Sequence, residues 1–122
     1  MEGEDIIIHG DGLQTRSISH AESIAYGLIR MYEMKHISAN EIFNLGSNKQ
    51  ISVRNAAELI KTITNSKSEI KYISTKEAFG DYTEIQTRFA DTTKAHKILG
   101  VTFDKELKDI ITEMYNEWKT EK

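Results

Sequence analysis

The feature that most constrains the fold is a tight turn, Gly10-Asp11-Gly12, set between two segments with strand character. Ile6-Ile7-Ile8 before the turn is an apolar, β-branched run, which is typical of a buried strand. The glycines permit positive φ angles and Asp11 can bond its own backbone, so the chain can reverse here. Residues 15–19 are predicted to run extended again, which places Arg16 on a strand that leaves the turn.

A helix is predicted to begin directly after this strand. Ser19-His20-Ala21-Glu22 has the spacing of a capping box, in which Ser19 and Glu22 each bond an orphan backbone N–H group. Arg16 precedes this helix N-terminus by a few residues, and its planar guanidinium could bind a phosphate or a carboxylate. The alternative is an ordinary surface arginine that is solvated or makes a weak ion pair.

Length, composition and charge bound the class of protein. The chain has 122 residues, of which 39% are hydrophobic and 29% are charged, and this fits one globular domain or part of one. The net charge of −3 and the lack of a basic run argue against a nucleic-acid partner. The sequence contains no cysteine, so we expect no disulfides and a cytoplasmic location. No apolar stretch reaches membrane-span length and the first five residues are unlike a signal peptide, so we expect no membrane partner.

Hydrophobic periodicity predicts an α/β fold with short strands and about four helices. The predicted helices cover residues 21–36, a segment capped by Ser52 and broken at residues 65–68, a segment from Asp91 to Leu99 with Gly100 as its stop, and a segment from Asp104 to about residue 119. Strands are predicted over residues 41–46 and 69–73, besides the two that flank the turn. Residues 74–90 are predicted to be the least regular part. The first helix is predicted to be amphipathic, with an apolar stripe that consists of Ala21, Ile24, Ala25, Leu28, Met31 and Tyr32.

Several motifs that would carry chemistry are missing. No glycine-rich phosphate loop of the dinucleotide-binding type occurs, so we expect this chain alone to bind no NAD. The spacing Tyr-x-x-x-Lys occurs at Tyr72 and Tyr115, but we interpret both as structural, one at a strand end and one on the last helix's core stripe. None of the four histidines has metal-ligand spacing. We therefore expect no catalytic residue, cofactor site or metal site within the chain itself.

Four motifs in order carry a resemblance to a known family. They are Gly10-Asp11-Gly12-x-Gln14-x-Arg16-Ser17-Ile18-x-His20; Phe43-Asn44-Leu45-Gly46-Ser47 with Ile51-Ser52-Val53; Phe79-Gly80-Asp81; and Ala90-Asp91-Thr92-Thr93-Lys94-Ala95 with Leu99-Gly100. Together they resemble segments of the nucleotide-sugar epimerases and dehydratases of the extended short-chain dehydrogenase/reductase family. Residues 1–122 are thus similar to the C-terminal substrate-binding portion of such an enzyme, as a single unit with the Rossmann half absent.

This resemblance implies a function for the complete enzyme. It implies a UDP-glucose 4-epimerase-like activity on a UDP- or dTDP-linked sugar, with NAD held by the N-terminal Rossmann half. On this mapping Arg16 binds a phosphate and Gln14 lies beside it in the pocket wall. A second phosphate-binding arginine is usual two residues before Gly80, where this chain has Ala78, and Arg88 is the candidate substitute. The alternatives are a related dehydratase and a non-catalytic nucleotide-sugar-binding fragment.

The resemblance also predicts self-association. In the family, residues 42–44 join the Rossmann sheet and the helix over residues 21–36 packs on that sheet. Without the sheet, the strand edge and part of the helix's apolar stripe are uncovered, and such surfaces promote association. We therefore expect a homo-oligomer, or a rearranged packing of the first helix.

Overall fold

The computed structural model of the chain describes residues 3–121, in which six helices and five short strands alternate. The elements are β1 (Ile6–His9), β2 (Thr15–Ser17), α1 (Ala21–Glu33), α2 (Lys35–Ser38), β3 (Gln50–Ser52), α3 (Val53–Thr64), β4 (Ile70–Ile73), α4 (Thr75–Phe79), β5 (Thr87–Arg88), α5 (Thr93–Leu99) and α6 (Leu107–Thr120). The predicted α/β fold is confirmed, and the four predicted helices correspond to α1, α3, α5 and α6. The remaining two helices, α2 and α4, have only 4 and 5 residues.

Two parts of the predicted element pattern are wrong. Residues 41–46 form no strand, although Phe43 and Leu45 are half-buried while Ile42 points out at 84% exposure. This segment keeps the alternation of a strand but has no ladder partner among the described residues, and a strand is defined by its pairing. Residues 74–90 are more regular than expected, because they contain α4 and β5.

The chain divides into two compact units. Unit 1 consists of the residues up to Arg16, residues Ile51–Arg88, and the residues from Lys108 onward. Unit 2 consists of Ser17–Gln50 and Phe89–Leu107. In unit 1, β1 pairs with β4 in parallel from Ile6 opposite Ile70 to His9 opposite Ile73. A second sheet has the strand order β3-β2-β5, in which β2 and β5 are parallel.

The Gly10-Asp11-Gly12 turn has the predicted chemistry. The two glycines have φ angles of 77° and 72°, and the Leu13 N–H donates to the Asp11 carboxylate at 2.9 Å. Backbone carbonyls in and just after the turn accept hydrogen bonds from the first residues of α3. The Arg54 N–H donates to Gly12 O at 3.0 Å and the Val53 N–H donates to Gln14 O at 3.1 Å. The turn is therefore bonded directly to the N-terminus of a helix.

The helix caps agree only partly with the predictions. The Ser52 hydroxyl accepts from the Asn55 N–H at 3.1 Å, and Gly100 ends α5 in the left-handed conformation, as predicted. The predicted capping box at Ser19 is wrong. His20 is the N-cap of α1, and its Nδ1 accepts from the Glu22 N–H at 3.3 Å. Ser19 is not available as a cap because its hydroxyl accepts from the Ser47 N–H at 2.7 Å.

The two later helices begin differently from expectation. Thr92 occupies the N-cap position of α5, while the Asp91 carboxylate accepts from the Thr93 N–H at 2.9 Å. The hydrogen bonds from Thr93 hold the pKa of Asp91 below its ordinary value of 3.8. The final helix begins at Leu107, later than the start predicted from Asp104.

Unit 2 has its own apolar core, to which α1 contributes part of its apolar stripe. The buried residues are Ala95, Leu99, Val101 and Phe103, with Ile24, Met31, Met34, Phe43, Leu45 and Ile98 packed against them. Gly27 is buried and lies so close to Leu45 that a Cβ on it would be 3.0 Å from Leu45 Cδ1. This close approach turns the opposite face outward, so Leu28 and Tyr32 are 57% and 76% exposed. This exposure agrees with the expectation that part of the apolar stripe of the first helix is uncovered.

We predict that Gly12→Ala destabilises the protein more than Gly80→Ala. Both glycines have positive φ, so each alanine costs about 1 kcal/mol in backbone strain. A Cβ at Gly12 would also lie 3.1 Å from Arg54 Cβ and 3.2 Å from Ile8 Cγ2, whereas nothing lies within 4 Å at Gly80. Urea unfolding should give an extra loss of about 1–3 kcal/mol for Gly12→Ala. Equal losses would contradict close packing of the turn.

A second prediction concerns the contribution of Asp91 to the stability of the protein at low pH. Because its pKa is lowered in the folded state, the charged carboxylate stabilises the protein above pH 3.8, and this contribution is lost as the pH falls through the folded-state pKa. Asp91→Asn removes the titration but keeps an oxygen that can accept from Thr93. Urea unfolding of both proteins between pH 6 and pH 3 should show their stability difference shrinking toward acid. A pH-independent difference would contradict the assigned interaction.

Candidate functional site

The structure brings together two of the residues predicted to bind the substrate, Arg16 and Arg88. They are direct register partners on the parallel strands β2 and β5. Neighbouring strands lie about 4.8 Å apart, and register partners project from the same face of a sheet. The two arginine side chains therefore leave the backbone side by side, although 72 positions separate them in the sequence.

The guanidinium of Arg16 is engaged by acceptors of unit 1. Its Nη1 donates to Thr15 O at 2.7 Å and to Ile85 O at 2.8 Å, and its Nη2 makes an ion pair with the Glu84 carboxylate. The side chains of Arg16 and Glu84 are 31% and 20% exposed, so the pair is partly covered. Because the Thr15 N–H also donates to Gln86 O at 2.7 Å, Arg16 belongs to a network that fixes residues 84–86 beside β2.

Arg88 differs from Arg16 in its surroundings. The residue is exposed, and its guanidinium makes no hydrogen bond or ion pair within residues 3–121. Arg88 is thus the member of the arginine pair whose guanidinium is accessible to a ligand. Ala78, which stands at the usual place of a second arginine, lies half-buried in α4.

Gln14, the third predicted site residue, lies inside the protein. It is 6% exposed, and its Nε2 donates to His9 O at 3.0 Å. The backbone carbonyl of Gln14 accepts from the Val53 N–H. These bonds connect the end of β1 to the start of α3 and stabilise the turn that precedes Arg16.

Sequence reasoning missed two further features near the turn. The first is Glu84, whose ion pair with Arg16 spans 68 positions and follows no local pattern. The second is an aromatic cluster in which Phe79 packs edge-on against His9 at 4.8 Å and against Tyr82 at 6.0 Å between ring centroids. Phe79 and Tyr82 are both more than half exposed, so this cluster forms an open aromatic surface in unit 1. The only sequence signal was the irregular composition of residues 74–90.

The two Tyr-x-x-x-Lys matches lie on elements other than β2 and β5, the strands that carry the arginine pair. Tyr72 lies on β4 and Lys76 on α4, so the two residues do not share a helix. Tyr115 donates to Thr64 O at 3.4 Å, and the Lys119 Nζ lies 4.2 Å from the centre of the Tyr115 ring. Both Tyr115 bonds fit a packing role at the contact between α6 and the end of α3.

Three other features of the described chain bear on function. No group of three or more His, Cys, Asp or Glu side chains within residues 3–121 is placed to hold a metal ion. None of the helices in that range is both long and apolar enough to cross a membrane. Unit 2 contains an open cavity of about 270 Å³, and its wall includes Asn48, Thr92, Thr93 and His96 but none of the predicted site residues.

Several curated relatives of the chain are named as enzymes that act on UDP-sugars. It is 28% identical over 116 residues to a UDP-N-acetyl-alpha-D-glucosaminuronate decarboxylase of Bacillus cytotoxicus, covering 91% of this chain and 36% of the relative. It is 31% identical over 99 residues to a UDP-glucuronate 4-epimerase of Thermodesulfobacterium geofontis, covering 80% of this chain and 28% of the relative. No family profile matches the sequence.

Solved structures show the same fold. UDP-glucuronic acid 4-epimerase from Bacillus cereus, in complex with UDP-glucuronic acid and NAD, superposes with a TM-score of 0.84 at 22% identity, over 99% of this chain and 37% of the epimerase. Pal from Bacillus thuringiensis superposes with a TM-score of 0.82 at 27% identity, over 99% of this chain and 36% of Pal.

These comparisons confirm the resemblance seen in the sequence. Homologues and structural neighbours include nucleotide-sugar enzymes of the extended short-chain dehydrogenase/reductase family, and the chain matches their C-terminal part. It spans about a third of the length of the relatives and structures that it matches.

Proposed function

We propose that this chain is the substrate-binding portion of an NAD-dependent nucleotide-sugar epimerase, and that it holds the diphosphate of a UDP-sugar. The observation that carries the proposal is the register pairing of Arg16 with Arg88 on β2 and β5. Guanidinium groups bind phosphate oxygens through paired, charge-assisted hydrogen bonds. Two such groups side by side fit a ligand with two linked phosphates, and the Bacillus cereus neighbour carries a UDP-sugar.

The two arginines have different roles in this proposal. Arg88 is exposed and unpaired within residues 3–121, so it meets the ligand first. Arg16 already donates to two carbonyls and to Glu84, which leaves two of its five N–H donors, and the Glu84 carboxylate neutralises part of the charge that a ligand would meet. Gln14 does not contact the ligand in this arrangement but braces the turn from which β2 leaves.

The chain's own residues do not fit NAD. Its sequence contains no glycine-rich loop that could approach a dinucleotide pyrophosphate. We therefore assign the NAD of the complete enzyme to the portion of its relatives that this chain does not span, and we assign no hydride-transfer step to the residues described above. The sugar chemistry of the complete enzyme is proposed to be 4-epimerisation of a UDP-glucose-like substrate.

A second candidate function is a nucleotide-sugar-binding module without catalysis. The observation that favours it is Ala78, which removes one arginine from the usual position, together with the internal partner of Arg16. The relatives include a decarboxylase as well as an epimerase, and the names of both specify a UDP-sugar. Reading the genomic sequence upstream of Met1 for an in-frame dinucleotide-binding motif would discriminate an enzyme portion from a module.

We predict that UDP binds to the arginine pair and that Arg88→Ala weakens this binding. Loss of a charge-assisted hydrogen bond costs about 1.5–3 kcal/mol, which is about a ten- to hundredfold rise in Kd. UDP titrations followed by NMR should show this loss, while Arg54→Ala, an exposed arginine on α3, should bind like the wild type. Uridine, which has no phosphate, should produce no comparable shifts at β2 and β5. Unchanged UDP affinity in Arg88→Ala would remove this residue from the site.

We also propose that the chain forms a homo-oligomer through the exposed apolar face of α1. Leu28, Ile29 and Tyr32 are each more than half exposed and follow helical spacing, and Ile42 in the same unit is 84% exposed. A cluster of large apolar side chains on one helix face is typical of an interaction surface. The unpaired segment over residues 42–45 offers a second means of association, because an unpartnered strand can pair with another chain.

This proposal predicts concentration-dependent association. In sedimentation equilibrium the wild type should exceed the monomer mass of 13.9 kDa, and the double variant Leu28→Lys, Tyr32→Glu should remain at that mass. Met114→Glu changes an equally exposed apolar residue on α6 and should associate like the wild type. A wild-type monomer at every concentration would show that the face has no role in self-association.

A further inference from the structure

Beside the arginine pair lies a hydrogen-bond acceptor, the Glu84 carboxylate, that sequence reasoning did not find. Glu84 places its carboxylate on Nη2 of Arg16, which is the type of hydrogen bond that a phosphate oxygen of a ligand would make. The inference drawn from this ion pair rests on the proposed function, in which Arg16 binds a diphosphate. If that function is right, the ligand and Glu84 compete for one guanidinium.

The two residues that follow Glu84 are held against β2 through their backbone carbonyls. Arg16 Nη1 donates to Ile85 O at 2.8 Å, and the Thr15 N–H donates to Gln86 O at 2.7 Å. Both bonds hold the residues that follow Glu84 and do not involve its side chain. The carboxylate can therefore leave Arg16 without dissolving the pairing of β2 with β5, and it stays tethered nearby as a competitor at high effective concentration.

Charge decides which ligands can displace this competitor. A ligand with one negative charge exchanges one carboxylate for an equivalent anion and gains little on Arg16. A diphosphate carries negative charge on two linked phosphorus centres, so it can pair with Arg88 and Arg16 together and offset their mutual repulsion. Because the Glu84 carboxylate is tethered beside Arg16, a ligand needs more negative charge to bind Arg16 and Arg88 at the same time.

We propose that Glu84 is a specificity-determining residue, an internal ligand of Arg16 that yields to a diphosphate but not to a single carboxylate. Relatives of this chain act on sugars with a carboxylate as well as a diphosphate, so both groups are candidates for an arginine. Glu84 assigns the arginine pair to the diphosphate. The sugar carboxylate, where a substrate has one, is left to other residues.

The test compares Glu84→Gln with the wild type and with Glu77→Gln, which removes a charge from the same segment at an exposed position on α4. Each protein is titrated with pyrophosphate, UDP and glucuronate, and binding is followed by NMR at β2 and β5. Removal of a partly exposed ion-pair competitor should tighten pyrophosphate and UDP binding about fivefold and should allow glucuronate to bind. Glu77→Gln should match the wild type for all three ligands.

The outcomes separate this proposal from the proposed function. Tighter pyrophosphate binding by Glu84→Gln supports the role of Glu84 even if UDP does not bind, and that second result would overturn the nucleotide-binding function alone. Equal UDP affinity in all three proteins would overturn the role of Glu84 and leave the function intact. Glu84→Asp keeps the charge on a shorter side chain and should show a smaller gain. If Glu84→Gln does not fold, the absence of any gain in Glu84→Asp overturns the proposal.

Discussion

The structure of unit 1 depends on the way a tight turn supplies acceptors to the start of a helix. The first N–H groups of a helix have no partner within it. In α3, Val53 and Arg54 donate to the carbonyls of Gln14 and Gly12, and Asn55 donates to the Ser52 hydroxyl. The glycine at the turn lets the helix come this close, because a side chain there would meet the helix. This contact fixes where β2 begins and so where Arg16 stands.

Arg16 carries out two tasks that compete with each other. As a structural residue it holds residues 84–86 against β2, which brings β5 and Arg88 into register. As a candidate ligand-binding residue it shares its charge between that network and the ligand. The guanidinium that would bind the ligand also holds the site together, so the geometry of the site exists before a ligand arrives, and the bond from Arg16 to the ligand is weaker as a result. Preformed geometry is one way in which proteins limit the entropy lost on binding.

Local sequence signals predicted the parts of this fold that local chemistry decides. The turn, the Ser52 cap and the Gly100 stop all depend on residues within a few positions of one another, and the structure confirms them. The predictions failed where the outcome depends on residues distant in the sequence. The Ser19 hydroxyl accepts from the Ser47 N–H and does not cap α1, and residues 41–46 form no strand because they lack a pairing partner among the described residues. The candidate site falls between these cases. Arg16 and Arg88 were found through a family pattern, but their pairing and the role of Glu84 come from contacts that span about 70 positions, and no periodicity reveals these.

The two apolar faces of α1 have a consequence for the folding of unit 2. Ile24 and Met31 pack into the core, while Leu28 and Tyr32 point away from it, so the helix has the composition of the middle layer of a three-layer structure. A helix of this kind draws its stability from both sides, and only one of them is supplied by unit 2. Any partner that covers the other side adds its binding free energy to the folding of the helix. If such a partner binds, the melting temperature of this protein rises with the concentration of that partner.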